Sequence, residues 1–286
     1  MDAILEVKDL TKQYDGFTLD HVSFTVPGGC IMGLIGENGA GKSTTIKAIL
    51  DLIHKDEGKV TFWGKDLAQA PEMKEDIGVV FDGISFYETL TPARVGRILS
   101  EAYKNWDDNL YKEYLQRFSL PADKEIKGLS KGMKAKLSIA AALGHRPKFL
   151  ILDEATSGLD PVMRDDMLDV FLEFVQDEEH SILMSSHITT DLEKVADYIT
   201  FIHQGQMMFC KSKDELRYRY GVVRCGAAVF GQMDSADVLA WRKEAYQWDV
   251  LVPDKEKARR LYKNAVVDDA TIDDILLLYV KGERSK

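Results

Sequence analysis

The chain has 286 residues, of which 45% are hydrophobic and 29% are charged, as is ordinary for soluble globular domains. Its formal net charge of −10 argues against sequence-independent binding to nucleic acid, because phosphate contacts need a basic face. No apolar run has the length of a membrane span and the N-terminus does not read as a signal peptide, so we expect a cytosolic protein. The three cysteines have neither metal-ligand nor disulfide spacing, and we expect reduced thiols at Cys30, Cys210 and Cys225.

The first eighty residues predict strands arranged around a glycine-rich turn. Asp15-Gly16 is a turn signal between two strand-like runs, and a buried-type strand passes through the glycines into helical periodicity. The predicted elements are strands at 4–7, 19–26, 30–35, 60–63 and 77–81, and a helix at 43–52.

A helical segment at about 84–146 then interrupts the strands. Residues 91–118 have helical periodicity, with Thr91 as the cap and Pro92 as the first helical residue. A second helix is predicted at 130–143, and Pro147 closes it. The segment therefore predicts an inserted helical subdomain.

Strands and helices alternate from residue 149 onward, which predicts a parallel sheet covered by helices. The elements are strands at 149–153, 181–185, 198–203 and 207–210, and helices at 161–175 and 190–196. Beyond about residue 220 the pattern weakens to a small α+β extension. Its predicted elements are strands at 222–230, 250–252 and 265–267, and helices at 237–246 and 254–262.

The run from Gly36 to Ser43 fits the phosphate-loop pattern of two glycines, lysine and serine. Glycines let successive amides point into one concavity, and the following helix directs its positive end to the same place. Lys42 is expected to reach the β- and γ-phosphates of a nucleoside triphosphate, while the Ser43 hydroxyl binds Mg²⁺. The nucleotide-binding candidates in this run are Gly36, Glu37, Asn38, Gly39, Ala40, Gly41, Lys42, Ser43 and Thr44. The motif alone does not choose among kinases, GTPases and ATPases.

An apolar strand at 149–152 ends in two carboxylates, Asp153 and Glu154. A buried strand would deliver Asp153 beside the phosphate loop, where it can hold Mg²⁺ directly or through water. Glu154, one residue further on, suits a carboxylate that polarises the attacking water. The pair therefore predicts hydrolysis of the bound triphosphate.

With these motifs the chain resembles the ATP-binding cassette (ABC) family over about residues 3–218. Gly128-Leu129-Ser130-Lys131-Gly132-Met133 stands at the family's signature, usually LSGGQ, just before the acid pair. Further matches, in the family's order, are Tyr14 for the aromatic that stacks on adenine, Ser157-Gly158-Leu159-Asp160 for the D-loop, and His187 for the switch histidine. Six motifs in one order are far more specific than any single pattern.

The resemblance implies an α/β fold with a P-loop NTPase (RecA-like) core, an N-terminal antiparallel β subdomain, the inserted helical subdomain and the C-terminal extension. It implies an ATP-binding domain at 1–220 and the extension at 221–286. Two cassettes would pair head to tail as a homodimer or heterodimer, so that Ser130 and Gly132 of one contact the γ-phosphate held by the other. Asp160 joins the nucleotide-binding candidates, and His187 would bond the γ-phosphate and hold Glu154 and the water.

Three departures from the family leave alternatives open. Lys131 and Met133 replace the second glycine and the glutamine of the signature, and Lys131 either adds charge near the ligand or points to solvent. Asp82 stands where the family has glutamine, and is either a third Mg²⁺ ligand with Ser43 and Asp153 or a turn residue before Gly83.

The segment 84–91 is aromatic-rich and corresponds to the family's groove for a permease. Phe86 and Tyr87 are interface anchors or else core residues of the helical subdomain. Residues 80–83, 155–161 and 270–275 resemble the bacterial antibiotic- and peptide-export branch. The C-terminal extension could regulate, support the dimer or be inert.

The leading prediction is an ATPase subunit that energises transport, with export as the direction, through a separate integral membrane permease at the inner face of the cell membrane. The second is a soluble cassette ATPase acting on ribosomes or nucleic acid. Such relatives carry two cassettes or a long coiled coil, and residues 43–130 have no sustained heptads. The signature and His187 argue against a P-loop kinase or GTPase.

Overall fold

The computed structural model describes residues 3–83 and 86–284. The chain divides into two compact units, Met1–Cys210 and Lys211–Lys286. This structural division lies ten residues before the predicted one, and the functional domains at 1–220 and 221–286 stay a prediction. None of the helices in the described ranges is long and apolar enough to cross a membrane.

The first unit contains a nine-stranded sheet, whose last strand runs on to Ser212, and its covering helices. Its strands are β1 (Ala3–Tyr14), β2 (Phe17–Pro27), β3 (Ile31–Ile35), β4 (Glu57–Phe62), β5 (Ile77–Val80), β6 (Phe149–Asp153), β7 (Ser181–Ser186), β8 (Tyr198–His203) and β9 (Gln206–Ser212). Its helices are α1 (Lys42–Ile49), α2 (Pro92–Ala102), α3 (Asp108–Arg117), α4 (Lys131–Leu143), α5 (Pro161–Phe174) and α6 (Thr189–Val195).

The sheet has the order β4-β1-β2-β9-β8-β3-β7-β6-β5. β1 pairs antiparallel with both β2 and β4, which confirms the antiparallel β subdomain of the predicted fold. The pairs β3–β7, β3–β8, β6–β7 and β5–β6 are parallel. Every residue of β3, β6 and β7 is buried, as is usual for parallel strands covered on both faces. Because parallel strands end at one edge of a sheet, the segments after β3, β6 and β7 converge there.

The helices α2, α3 and α4 are inserted between the paired strands β5 and β6. The single predicted helix at 91–118 is wrong, because the structure has two helices there. Thr91 caps the first, and the Asp107 side chain accepts hydrogen bonds from the backbone N–H groups of Asn109 and Leu110 to start the second. Residues 84 and 85, at the predicted start of this segment, lie outside the described residues.

The second unit contains a five-stranded antiparallel sheet of order β13-β10-β12-β11-β14. Its elements are α7 (Lys213–Arg219), β10 (Gly221–Cys225), α8 (Ala227–Phe230), β11 (Ala240–Lys243), β12 (Trp248–Val252), α9 (Lys255–Leu261), β13 (Val266–Asp269), α10 (Ile272–Lys281) and β14 (Glu283–Arg284).

Two predictions for this unit are wrong. The helix predicted at 237–246 is absent, because residues 240–243 form β11, which pairs with β12. Trp241 of β11 lies against Phe230, and Trp248 of β12 stacks on the same ring. The strand predicted at 222–230 ends at Cys225, because Gly226 begins a short helix. At β11 the pairing with β12 outweighs the local helical pattern.

Candidate functional site

The phosphate loop begins where β3 leaves the core. Gly39 and Gly41 have positive φ angles of 84° and 116°, which favour glycine. A Cβ on Gly36 would lie 2.3 Å from the Ile202 carbonyl oxygen, so the loop passes directly against β8. The Ala40 carbonyl accepts from the N–H of Gly205 at 2.9 Å, which ties the loop to the turn after β8. Only glycine at these positions allows the tight loop.

The Lys42 side chain, only 5% exposed, crosses the concavity of the loop. Its Nζ donates to the carbonyl oxygens of Gly36 at 2.7 Å and Glu37 at 3.2 Å. The same Nζ lies 3.2 Å from Glu154 Oε1, in an ion pair that does not meet hydrogen-bond geometry. A buried ammonium surrounded by oxygens is suited to binding anionic phosphate.

Hydroxyl and carboxylate oxygens meet beside the loop. Asp153 Oδ1 accepts hydrogen bonds from Ser43 Oγ at 3.1 Å and from Ser185 Oγ at 2.6 Å. Asp153 is 4% exposed and ends β6, while Ser43 is in the first turn of α1. Hard oxygen ligands of this kind fit Mg²⁺, which commonly combines one or two carboxylates with substrate phosphates. Ser43 and Asp153 are therefore brought together as predicted for a metal site.

Glu154 follows in a left-handed backbone conformation, with φ of 53°. Its N–H donates to both the carbonyl oxygen and the hydroxyl of Ser185, at 3.2 Å and 3.1 Å. Its Oε2 lies 2.6 Å from Nδ1 of His187, which comes directly after β7. Non-glycine residues in this conformation are uncommon and concentrate at functional sites. Glu154 and His187 thus form a hydrogen-bonded pair of carboxylate and imidazole at the strand edge.

A cavity of about 300 Å³ lies over the phosphate loop. Besides the loop and Glu154, its lining includes Phe17 and Asp82. Asp82 is exposed and precedes Gly83, whose φ is 89°, so the carboxylate sits on a turn and also borders the cavity. Tyr14 is 47% exposed and is not one of the described residues in this lining.

The signature and D-loop residues have contacts of their own. Ser130 caps α4 by accepting from the N–H of Met133 at 3.2 Å, and Asp160 caps α5 through the N–H groups of two residues. A Cβ on Gly132 would lie 2.3 Å from Met163 Sδ, so α4 and α5 pack closely there. Among the described residues that line the phosphate-loop cavity, neither Ser130, Gly132 nor Asp160 is present.

Lys131 borders a second cavity, of about 240 Å³, on the other side of Glu154. Its Nζ is close to Gly158, since a Cβ there would lie 2.3 Å from it. Lys134, from the next turn of α4, forms an ion pair with Glu88 at 2.9 Å.

Comparison with known proteins places this geometry in a family. The ABC transporter family model matches residues 19–157. The ABC transporter ATP-binding protein YtrB of Bacillus subtilis (strain 168) is 33% identical, over 76% of this chain and 75% of its own length. The bacitracin transport ATP-binding protein BcrA of Bacillus licheniformis is 34% identical, over 77% of this chain and 73% of its own. This chain belongs to the ABC transporter family of ATP-binding proteins.

A solved structure agrees with this cassette. The structure of an ATP-binding subunit of an ABC transporter is 32% identical and has a TM-score of 0.66, over 75% of this chain and 92% of that one. The predicted P-loop NTPase fold is confirmed, and the cassette is an ATP-binding and ATP-hydrolysing subunit that energises transport. The alternative of a soluble ribosome- or nucleic-acid-directed ATPase finds no support among these relatives.

Three residues of the cassette site were not predicted from the sequence. Ser185 bonds both Asp153 and Glu154, and Phe17 borders the cavity. His203, at the end of β8, has Nδ1 2.5 Å from Oε1 of Glu37 in the phosphate loop. The only available signal was their position, since each lies at or near the end of a strand in this sheet.

Proposed function

We propose that this chain powers export through a separate membrane permease, at the inner face of the cell membrane, by ATP-driven pairing of two cassettes. The observation that carries the proposal is the convergence of Lys42, Ser43, Asp153, Glu154 and His187 at one edge of the sheet. The names of relatives include bacitracin and lantibiotic transport, which supports export as the direction.

The site residues have distinct proposed roles. Lys42 and the loop amides bind the phosphates, and Ser43 with Asp153 holds Mg²⁺, which would neutralise phosphate charge when bound. Glu154 orients and polarises the attacking water, because its carboxylate lies at the cavity wall beside Lys42. His187 holds that carboxylate through the 2.6 Å contact. Asp82 borders the same cavity and is proposed as a further Mg²⁺ ligand.

Pairing of two cassettes is proposed because one chain lacks part of the site. Ser130 starts α4 with an exposed side chain, and a helix N-terminus is suited to contact an anion. Ser130 and Gly132 are outside the cavity formed by the described residues of their own phosphate loop. A second cassette, identical or different, would bring its signature to this cavity.

The permease contact is proposed at Tyr87. Its side chain is 83% exposed, whereas Phe86 is half-buried. An exposed aromatic side chain is suited to anchor a partner helix. Ile84 and Ser85, in the same predicted anchor segment, lie outside the described residues.

The test is Glu154→Gln in the full chain. The amide keeps the size of the side chain but cannot act as a base, so phosphate release should stop while ATP with Mg²⁺ shifts the chain to a dimer in gel filtration. Glu178→Gln is the matched control, because Glu178 is an exposed residue just before β7, at the opposite end of that strand from His187. Retained hydrolysis by Glu154→Gln, or a strictly monomeric ATP-bound form at high concentration, would refute the proposal.

A further inference from the structure

The D-loop, Ser157–Asp160, is connected to the switch-histidine segment by a buried carboxylate. Asp191 lies in α6, four residues after His187, and is 2% exposed. Its Oδ2 accepts a hydrogen bond of 2.8 Å from the hydroxyl of Thr156, which is 1% exposed and immediately precedes the D-loop. This hydrogen bond joins the segment after β6 to the segment after β7.

Arg164 of α5 adds a second connection. Its Nη2 donates to the carbonyl oxygen of Leu159 at 3.2 Å, inside the D-loop. Its Nε lies 3.9 Å from Asp191 Oδ1 and has no hydrogen-bond partner among the described residues. Thr156, just before the D-loop, is therefore linked directly to the Asp191 carboxylate, and Leu159, inside the D-loop, is linked to it through Arg164.

Asp191 lies in an environment that disfavours its charged form. Burial raises the pKa of the Asp191 carboxyl, while the Thr156 hydrogen bond and the charges of Arg164 and His187 lower it, and Glu154 adds to the rise. A buried carboxylate needs its partners, because an unsatisfied one pays the full cost of desolvation. Displacement of the D-loop would thus break the Thr156–Asp191 hydrogen bond and take that partner from a buried carboxylate oxygen.

We propose that Asp191 is a positioning residue that fixes the D-loop relative to Glu154 and His187, so that the rate of turnover depends on the Thr156–Asp191 hydrogen bond. Thr156 is two residues from Glu154, and Asp191 is on the helix that follows His187. The proposed binding of ATP by one chain uses the phosphate loop, and neither Thr156 nor Asp191 is among the described residues that line its cavity. The inference rests on the proposed function, since it assigns a second set of residues to the same reaction.

The experiment compares Thr156→Val with Thr156→Ser in the full chain. Valine keeps the shape of threonine and removes the hydroxyl, whereas serine keeps the hydroxyl. We expect Thr156→Val to lower kcat about tenfold, the usual effect of losing one hydrogen bond to a charged group, with the Kd of a fluorescent ATP analogue changed less than about twofold. Thr156→Ser should recover kcat to within about threefold of the wild type.

Three further variants keep the test decisive if Thr156→Val is unstable. Thr61→Val makes the same change at a buried threonine of β4 and serves as a control for it. Melting curves for all variants show whether each is folded at the assay temperature. Asp191→Leu roughly retains the size of the side chain but removes both carboxylate oxygens, so it should lower kcat at least as much as Thr156→Val. The double variant Thr156→Val with Asp191→Leu should be no slower than Asp191→Leu alone, because that single variant already removes the Thr156–Asp191 hydrogen bond.

A folded Thr156→Val that keeps kcat within about twofold would overturn the inference. An equal loss in Thr156→Ser, or a parallel loss of nucleotide binding, would overturn it as well. These outcomes differ from failure of the proposed function, in which the wild-type chain itself would lack hydrolysis or Glu154→Gln would retain it.

Discussion

Removal of His203 should weaken ATP binding while leaving the rate of hydrolysis at saturation close to that of the wild type. Nδ1 of this nearly buried imidazole lies 2.5 Å from Oε1 of Glu37, and the Glu37 carbonyl in turn accepts from Lys42 Nζ and from the N–H of Ala40. The contact therefore holds the residue that shapes the first half of the phosphate loop. Glu154 and His187 are not part of this contact, so the reacting groups stay in place.

The size of the expected loss in ATP affinity follows from the solvent exposure of the Glu37 side chain. The Glu37 side chain is 50% exposed, so its hydrogen bond to His203 is worth about 1 kcal/mol rather than the larger value of a buried charged pair. A loss of about 1 kcal/mol corresponds to roughly a fivefold rise in KM for ATP. Two backbone contacts of Glu37 and the Gly205–Ala40 hydrogen bond remain, which limits the effect.

The assay is steady-state phosphate release by His203→Ala as a function of ATP concentration. His203→Asn is the matched control, since its side-chain N–H₂ can reach the region of Nδ1 and should restore much of the affinity. A KM within about twofold of the wild type in His203→Ala would refute the role of this contact. A large fall in kcat at unchanged KM would refute it too, because the imidazole would then act on catalysis.

Two other predictions concern tight packing and acid stability. Gly36→Ala should weaken binding of a fluorescent ATP analogue at least about tenfold, because its Cβ would lie 2.3 Å from the rigid Ile202 carbonyl, whereas Gly226→Ala, with open space around it, should bind normally. His145 is buried and its ring stacks on that of Tyr103, with 4.1 Å between the ring centroids. Burial lowers the pKa of the His145 imidazole. As the pH falls, the unfolded chain therefore takes up this proton before the folded chain does. Stability from this histidine is therefore present above its ordinary pKa of about 6.5 and is lost as the pH falls below it. In urea unfolding, His145→Phe should lose less stability than the wild type between pH 7.5 and 5.5, and equal losses would contradict the argument.

The strand-edge part of the site could be predicted from the sequence because local pattern and topology agree there. Gly36 and His187 directly follow the fully buried strands β3 and β7, and Asp153 is the last residue of the fully buried β6. Such strands in an α/β protein end at one edge of the sheet. In the structure Ser43 contacts Asp153 and Glu154 contacts His187 at this edge, although the chemical roles of these residues stay predictions. The sequence also predicted membership of the ABC family from the order of its motifs, and the comparisons confirmed that membership.

Contacts between distant parts of the chain could not be predicted in the same way. His203 is 166 residues from Glu37, and Asp191 is 35 residues from Thr156, with no local pattern to connect either pair. Residues 237–246 were predicted as a helix from local pattern, but Trp241 belongs to a strand that pairs with β12, and its ring packs against Phe230 of α8. Tertiary packing decided the outcome in these cases.

Ser185 explains how two adjacent carboxylates can have different roles. Its hydroxyl donates to Asp153 Oδ1 and accepts, with its own carbonyl oxygen, from the N–H of Glu154. The first bond directs the Asp153 carboxylate toward Ser43, and the second stabilises the left-handed backbone at Glu154. That backbone turn carries the Glu154 side chain to Lys42 and His187 instead of continuing the strand. One serine on β7 thus holds apart the carboxylate proposed to bind metal and the carboxylate proposed to orient water, next to a strained backbone conformation of the kind that concentrates at functional sites.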